Sequence, residues 1–480
     1  MKRIFILLST LVFFLFMPVL SSAEDTYLHV EENQTIDFDQ VKQLYESDSG
    51  RVLAEQETIA AGKDFPCVYI YTQEGQKILS REEYVPCVIN VFNCKEGDTL
   101  SAAGGVRVRG NSTADQGSEK PYRIKFEKKQ NMLGLHDGRK YKSWVLLRSY
   151  WNLATDYTAF NLAKTIFGGK YYSSDCAFVN LYINGEDRGI YVLCEQNQAN
   201  DGRVGVHEPE AEEAGTDIGY LLEMDNYASY EKEHSYFTLH HENIRFTDLR
   251  GMTRNFQKKE YSVKSDIYTN EQLQFIERYT DGVFTILYEG AENGRAMRFD
   301  ESWQVVPAED LTPQEAVSAV IDTDSLANML ILEELIHNYD VGAGSFYMAV
   351  DFSGDSLYPR MTFLAPWDSS WAYEGSPSGW YYAATFQVIQ FGEDRSNPWY
   401  IVAMKADWFR EIVKEKWAGL SGSGSLQETT ARVLEECRAL ENDLGKDAGK
   451  IDKAAEIIDF VNRRIDWLNE QWYTGRNVTE

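Results

Sequence analysis

The sequence predicts an α+β fold with its strands gathered in the first half and its helices in the second. Three observations lead there. Residues 106–109 and 122–126 alternate apolar and charged positions with period two. A tight-turn dipeptide, Asn184-Gly185, sits between two β-rich runs. The last third carries long stretches with apolar residues three and four apart.

Val68-Tyr69-Ile70-Tyr71 and Val88-Ile89-Asn90-Val91-Phe92 open the strand-rich part, separated by a polar, Gly-containing turn. Val106-Arg107-Val108-Arg109 and Tyr122-Arg123-Ile124-Lys125-Phe126 place aliphatic side chains on one face and cations on the other. Trp144-Val145-Leu146-Leu147 is a short buried strand, and Leu153–Phe167 is a helix stopped by Gly168-Gly169. Phe178–Ile183 and Gly189–Leu193 flank Asn184-Gly185 as a hairpin, and Tyr220–Asp225 is a further strand. Residues 226–320 are polar and aromatic, with weak helical signals and no assignable order. Asp324 reads as the N-cap of a helix over Ser325–Asn338. A hairpin over Ser345–Phe352 and Met361–Ala365 follows, turning at Gly354. The Ser/Gly run 421–425 reads as a surface linker. The final helix, about Asp452–Trp472, carries Ile457, Ile458, Val461, Ile465 and Leu468 as a core-facing stripe.

The chain has 480 residues and 43% hydrophobic content, enough for a sizeable core and too much for a disordered chain. Residues 1–23 read as a secretory signal peptide: Lys2 and Arg3, then an apolar run to Leu20, then Ser21-Ser22-Ala23. An uncleaved anchor is the weaker reading, since Pro18 and the small residues directly follow the apolar run. No other run is long enough to span a bilayer. Residues 24–64 form a polar leader arm, 65–475 the folded domain and 476–480 a tail. The net charge is −28 and becomes about −30 without Lys2 and Arg3, which argues against coating nucleic acid or anionic membrane. Six cysteines occur without a CxxC pair, so thiolate metal binding is disfavoured. The proximity of Cys67, Cys87 and Cys94 in one strand-rich segment makes a bridge within that trio the first expectation.

In so acidic a chain, a basic patch calls for a reason. Arg107, Arg109, Arg123 and Lys125 flank the turn Gly110-Asn111-Ser112-Thr113, and backbone amides in a turn with flanking cations favour phosphate. A solvated strand face is the plainer reading. Asp340 and Asp368 lie at opposite ends of the 345–365 hairpin, the start of one strand beside the end of the other. They would then share a rim, where Mg²⁺ held by carboxylates and substrate phosphates relieves their repulsion. Ordinary turn and cap roles are the alternative. Glu195-Gln196 ends the second arm of the Asn-Gly hairpin, where Glu195 reads either as the partner of Lys125, after the Lys–Glu pair of kinases, or equally as a surface strand end. Trp371, Trp380 and Tyr381 leave a carbohydrate-active protein as a further alternative.

Taken in order, these segments resemble the spore-coat CotH kinase family. The resemblance rests on Arg109–Thr113, Lys120–Phe126, Trp144–Leu147, Leu181–Gly185 with Gly189-Ile190-Tyr191, Glu195-Gln196, Tyr220–Asp225, Pro366-Trp367-Asp368 and Asn397–Tyr400. It covers roughly residues 65–475. It implies an atypical protein-kinase-like fold that uses ATP and Mg²⁺ or Mn²⁺ to phosphorylate a protein acceptor rich in Ser and Thr. On this mapping Lys125, with Glu195, is a catalytic phosphate contact, and Arg109, Asn111, Ser112, Arg123 and Gln196 help hold nucleotide. Asp340 is the catalytic and metal-binding aspartate, and Asp368 the second metal ligand. Three positions depart from the family pattern. Phe160 stands in the run 156–163 where an Arg precedes Asn161, Ser370 replaces a second aspartate, and Gly344-Ser345 replaces an Asn. These losses make a degenerate surface or coat assembly module the rival reading.

Overall fold

A computed structural model describes residues 55–92, 100–110, 114, 117, 119–148, 152–231, 233–354, 356–379, 383–388, 392, 394–450 and 452–473. The signal peptide, most of the leader arm, Cys94, Asn111, Ser112, Trp380, Tyr381 and the tail lie outside these residues.

Seven strands close into a barrel in the order β1-β2-β3-β4-β5-β7-β6. They are β1 Cys67–Thr72, β2 Val85–Phe92, β3 Leu100–Val108, β4 Tyr122–Gln130, β5 Tyr141–Leu147, β6 Cys176–Ile183 and β7 Glu186–Glu195. All neighbours are antiparallel except β1 and β6, whose parallel pairing closes the ring. Alternation shows which side of a strand is apolar but not which strand lies beside it, so closure was invisible in the sequence. Val106, Ile124, Trp144, Leu146, Leu181 and Leu193 fill the interior. The intervening residues Val145, Leu147, Ile190 and Val192 point outward into a second, larger core. The β6–β7 turn is Asn184-Gly185, both at positive φ (52° and 82°), as a type I′ turn requires.

A five-stranded sheet, β16-β15-β8-β12-β9, forms the other half. It comprises β8 Gly219–Met224, β9 Ser235–Leu239, β12 Lys259–Val263, β15 Phe346–Asp351 and β16 Thr362–Phe363. Between β9 and β12 lies the pair β10 Arg245–Thr247 and β11 Thr253–Asn255. A second pair, β13 Met297–Phe299 and β14 Val305–Pro307, comes later. Residues 226–320, unassignable from pattern, therefore contribute two sheet strands, both small pairs and two helices. These small strands are three residues each, too short for periodicity to register.

Residues 55–60 are helical, and the helices of the folded domain are α1 Thr155–Phe167, α2 Asn270–Glu292, α3 Pro313–Val320, α4 Thr323–Ile336, α5 Pro398–Ala403, α6 Asp407–Ser423, α7 Ser425–Ala439 and α8 Asp452–Tyr473. The N-cap of α4 is Asp322 rather than Asp324: Asp322 accepts the Ser325 N–H at 3.1 Å. Asp324 sits in the first turn instead and pairs with Lys170 and Lys416. The Ser/Gly run is not a loop. Ser421–Ser423 and Ser425 are helical, and Gly424 alone, at φ 76°, breaks α6 from α7. In α8 the expected stripe is fully buried, worth roughly 1.5–3 kcal/mol per large aliphatic side chain.

The bridge expected within Cys67, Cys87 and Cys94 is not seen among the described residues, which leave out Cys94. Cys87 points into the barrel and Cys67 out of it, and both are free thiols. No helix of the described residues is long and apolar enough to cross a membrane.

Candidate functional site

The basic ledge is the outer face of β3 and β4. Their register sets Arg107 directly opposite Arg123 and Gly105 opposite Lys125. Because Val106, Val108, Ile124 and Phe126 are inside, these cations must be outside. Glu233, from the second half of the fold, reaches across to them. It lies 2.7 Å from Arg107 and 3.6 Å from Arg123. Tyr84 backs the ledge, its ring centroid 5.2 Å from the Arg107 guanidinium and 6.0 Å from Lys125 Nζ. Glu233 falls in the stretch whose elements the sequence did not reveal.

The same parity rule separates Glu195 from Lys125. Glu195 pairs with Trp144, which pairs with Ile124, so Glu195 shares the inward face while Lys125 points out. Glu195 is completely buried. It accepts from Arg203 Nε at 3.2 Å, from the Asp175 N–H at 3.1 Å and contacts His136 Nδ1 at 2.9 Å. The expected Lys125–Glu195 pair is corrected accordingly: Glu195 organises the end of the barrel.

That bond raises the His136 imidazole above its usual 6.5, chiefly through the Glu195 hydrogen bond. The protonated ring then stabilises the fold fully below pH 6.5, and the increment is lost as pH rises through the raised value. The urea midpoint should fall between pH 6 and pH 8 in the wild type and more shallowly in His136→Gln. Equal slopes would contradict the pairing.

At the far end of the ledge, Arg109 leaves β3 and stacks on Trp367, its guanidinium carbon 5.1 Å from the ring centroid. Phe160 packs on the same Trp367 ring, centroids 5.7 Å apart. Beside them is Asp156, in the first turn of α1 and 6% exposed. Its Oδ1 accepts the Ser369 N–H at 2.9 Å. Its carboxyl is pushed up to about 7 by burial and by the facing Asp368, with the Ser369 amide and Arg109 opposing. A cation from the barrel thus lies near the Asp156 carboxyl of α1, which in turn faces Asp368 in the segment after β16.

That segment is conformationally costly. Ala365 and Asp368 both hold positive φ, 56° and 54°, a conformation that costs a non-glycine residue on the order of 1 kcal/mol or more. It is pinned where Asn197 Nδ2 donates to the Ala365 carbonyl at 2.8 Å and the Ala365 N–H donates to Tyr172 at 2.9 Å. The Ser370 hydroxyl donates to Asp368 Oδ1. Gln196, one residue before Asn197, carries a buried Oε1 with no partner among the described residues.

Asp340 follows α4. The expected hairpin exists, with Met348 opposite Phe363 and Ala349 opposite Thr362. The 336–339 and 371–373 segments are tied by Tyr339 N–H to Trp371 O at 3.4 Å and Tyr373 N–H to Ile336 O at 2.7 Å. Each carboxylate has its own neighbours there. Asp340 is met by the Arg395 guanidinium, which also lies 5.8 Å from the half-exposed Trp371 ring. The carboxylate facing Asp368 is Asp156, which the sequence reading quoted only as part of a helix. Its signal was a buried-helix Asp in a run of otherwise apolar and neutral residues.

The family model described as CotH kinase protein matches residues 106–471, most of the chain. The chain belongs to the CotH kinase family. It is on that ground a kinase, a phosphotransferase, and the resemblance seen in the sequence holds. ATP, a divalent metal and a protein substrate follow in general terms from membership. The match begins inside β3, although β1 and β2 complete the barrel. No curated protein matches the chain. Among the described residues no group of three or more His, Cys, Asp and Glu could hold a metal by itself.

Proposed function

We propose that this kinase transfers the γ-phosphoryl group of ATP to a Ser or Thr hydroxyl of a protein acceptor, within a kinase-like domain spanning 65–475, outside the cell after removal of residues 1–23. The observation that carries this reading is the Arg109–Trp367 stack set against Asp156 and Asp368.

The residues fit a divalent cation that arrives with nucleotide. Mg²⁺ is usually held by one or two carboxylates, with phosphates and water completing the shell. Asp156 and Asp368 supply two, and the Asp156 carboxyl is raised first by its burial and then by the neighbouring Asp368. Bound there, Mg²⁺ would neutralise charge on the phosphates. Asp156 is oriented for that role by the Ser369 amide, and Asp368 by the Ser370 hydroxyl. Arg109, its guanidinium over the Trp367 ring, presents a cation to phosphate oxygens. Arg123 and Lys125 extend that charge along the ledge, and Asn111 and Ser112, outside the described residues, are assigned to the nucleotide by the family resemblance alone. Gln196 Oε1 offers a buried acceptor to an amino group of the base. Asp340 orients the acceptor hydroxyl, Arg395 holding its carboxylate beside the exposed Trp371.

Transfer of label from γ-labelled ATP to casein with Mg²⁺ tests the reading. Arg109→Ala should lower transfer by roughly 10²–10³-fold, as for loss of one preorganised electrostatic group. Undiminished transfer would count against the site. A second reading is favoured by Ser370 in place of a carboxylate and by the Arg395 contact on Asp340. On it the fold binds nucleotide and serves as an assembly module. No transfer from the wild type would support it, whereas equal transfer from wild type and Asp340→Ala would remove the role given to Asp340.

A further inference from the structure

We propose that Cys176 and Cys194 form a reversible cross-strand disulfide that braces the rim of the nucleotide site. The two residues are directly opposite on β6 and β7. The Glu195 N–H donates to the Asp175 carbonyl, the flanking bond that marks 176/194 as a non-hydrogen-bonded pair. At such positions the side chains are closest, with Cα atoms about 4.5 Å apart, inside the lower edge of the disulfide range of about 4.4–6.8 Å. Both side chains lie on the outer face of the barrel. Cys194 is fully buried and Cys176 packs at the edge of the same core. Of the other described cysteines, Cys67, Cys87 and Cys437 belong to other strands, another barrel face or α7, and both thiols of the 176/194 pair are free as described.

The pair is reachable from one side. A polar cavity of about 440 Å³ is lined by Cys176 together with Tyr157, Asn161, Lys164, Asp175 and Arg432. Cys194 lies behind Cys176, close enough to Arg109 and Asp156 to feel their charges. The oxidant class is a low-molecular-weight disulfide such as oxidised glutathione. The Cys176 thiolate attacks one of its sulfurs and expels one thiol. The Cys194 thiolate then attacks the Cys176 sulfur of the mixed disulfide and expels the second. Two electrons pass from the cysteines to the oxidant, and their two protons end on the released thiols. Burial holds both thiols protonated, so the first exchange is slow at neutral pH and quickens as pH rises.

The bond would join the strands where it matters. The residue after Cys194 is Glu195, which accepts from Asp175, the residue before Cys176. Asn197, two residues further, holds the Ala365 carbonyl at the start of the strained segment that ends in Asp368. A tight crosslink between directly opposed residues is expected to be reducible by a mild thiol rather than inert. The crosslink itself does not rest on the phosphotransfer reading; that the rim it braces holds nucleotide does.

The test is redox equilibration of the full chain in reduced and oxidised glutathione mixtures at pH 8, acid quench, alkylation after denaturation and peptide mass mapping. The oxidised arm should give a Cys176–Cys194 linked pair, two hydrogens lighter than the dithiol and lost on reduction, with Cys67, Cys87 and Cys437 alkylated. Cys194→Ser should trap a glutathione adduct at Cys176. Two free thiols in the folded oxidised protein, a bridge from either residue to Cys94 or another cysteine, or no adduct in Cys194→Ser would overturn the proposal. Should the Ser variant not fold, the wild-type map decides alone.

Discussion

Asp368→Asn should abolish Mg²⁺-dependent phosphoryl transfer while leaving the fold at least as stable. The substitution keeps the shape of the side chain, so the positive-φ backbone and the Ser370 contact have no steric reason to change. It removes one of two carboxylates that face each other, and with it half of the acidic set available to the cation. A loss of about 10²–10³-fold in turnover matches removal of a single group that stabilises reacting charge. The stability effect runs the other way. Asp156 is buried and pushed up to about 7 partly by Asp368, so neutralising Asp368 relieves a repulsion between the two in the unliganded protein. A thermal midpoint equal to or above wild type, with transfer gone, is the expected pair of results. A lowered midpoint would mean that Asp368 is structural, and retained transfer would mean that it is not in the site.

Arg464→Ala should be the most destabilising single change discussed here, costing about 3–5 kcal/mol, the range for breaking a buried ion pair from one side. Arg464 is completely buried on α8 and pairs with Glu334 of α4 at 2.9 Å. Its remaining donors go to the carbonyls of Glu334, Pro377 and Gly379 at 2.7–3.1 Å. Glu334 also accepts the Ala384 N–H at 3.1 Å. One guanidinium thus ties α8 and α4 to the chain that follows Asp368, and its loss leaves a charged carboxylate and three carbonyls without that donor in a dry interior. Denaturant unfolding of Arg464→Ala measures the cost. Arg464→Met with Glu334→Gln, which removes both charges, should recover part of it. A loss under about 1 kcal/mol for the single variant would contradict the hub.

What the sequence revealed and what it hid divide along physical lines. Alternation in 106–109 and 122–126 showed that Arg107, Arg109, Arg123 and Lys125 share a face, because period two fixes side-chain parity within a strand. The Asn184-Gly185 hairpin and the α8 stripe were equally legible, each written in local chemistry. Partners across the fold were not. The Lys125–Glu195 pair follows the Lys–Glu pattern of kinases, but the parity of strand pairing, known only once β5 is seen between them, puts the two on opposite faces. Asp156 passed as a helix residue because nothing local says that residues 367–369 return to its N-terminal turn. Glu233 and Arg395 lie in segments with no strong period of their own. The N-cap was misplaced by two residues because Asp322 and Asp324 are both good caps, and only the Ser325 amide chooses between them.

The central claim is that the cationic end of β3 and the carboxylates of α1 and the post-β16 segment hold one nucleotide–metal complex. Thermal melts of wild type and Asp368→Asn, each with ATP, Mg²⁺, both or neither, test it most directly. The wild type should be stabilised by ATP and Mg²⁺ together, by about 2.7 kcal/mol at a ligand concentration a hundredfold above Kd, and Asp368→Asn should show little or none of that gain. No stabilisation of the wild type, or an equal gain in both proteins, would contradict it.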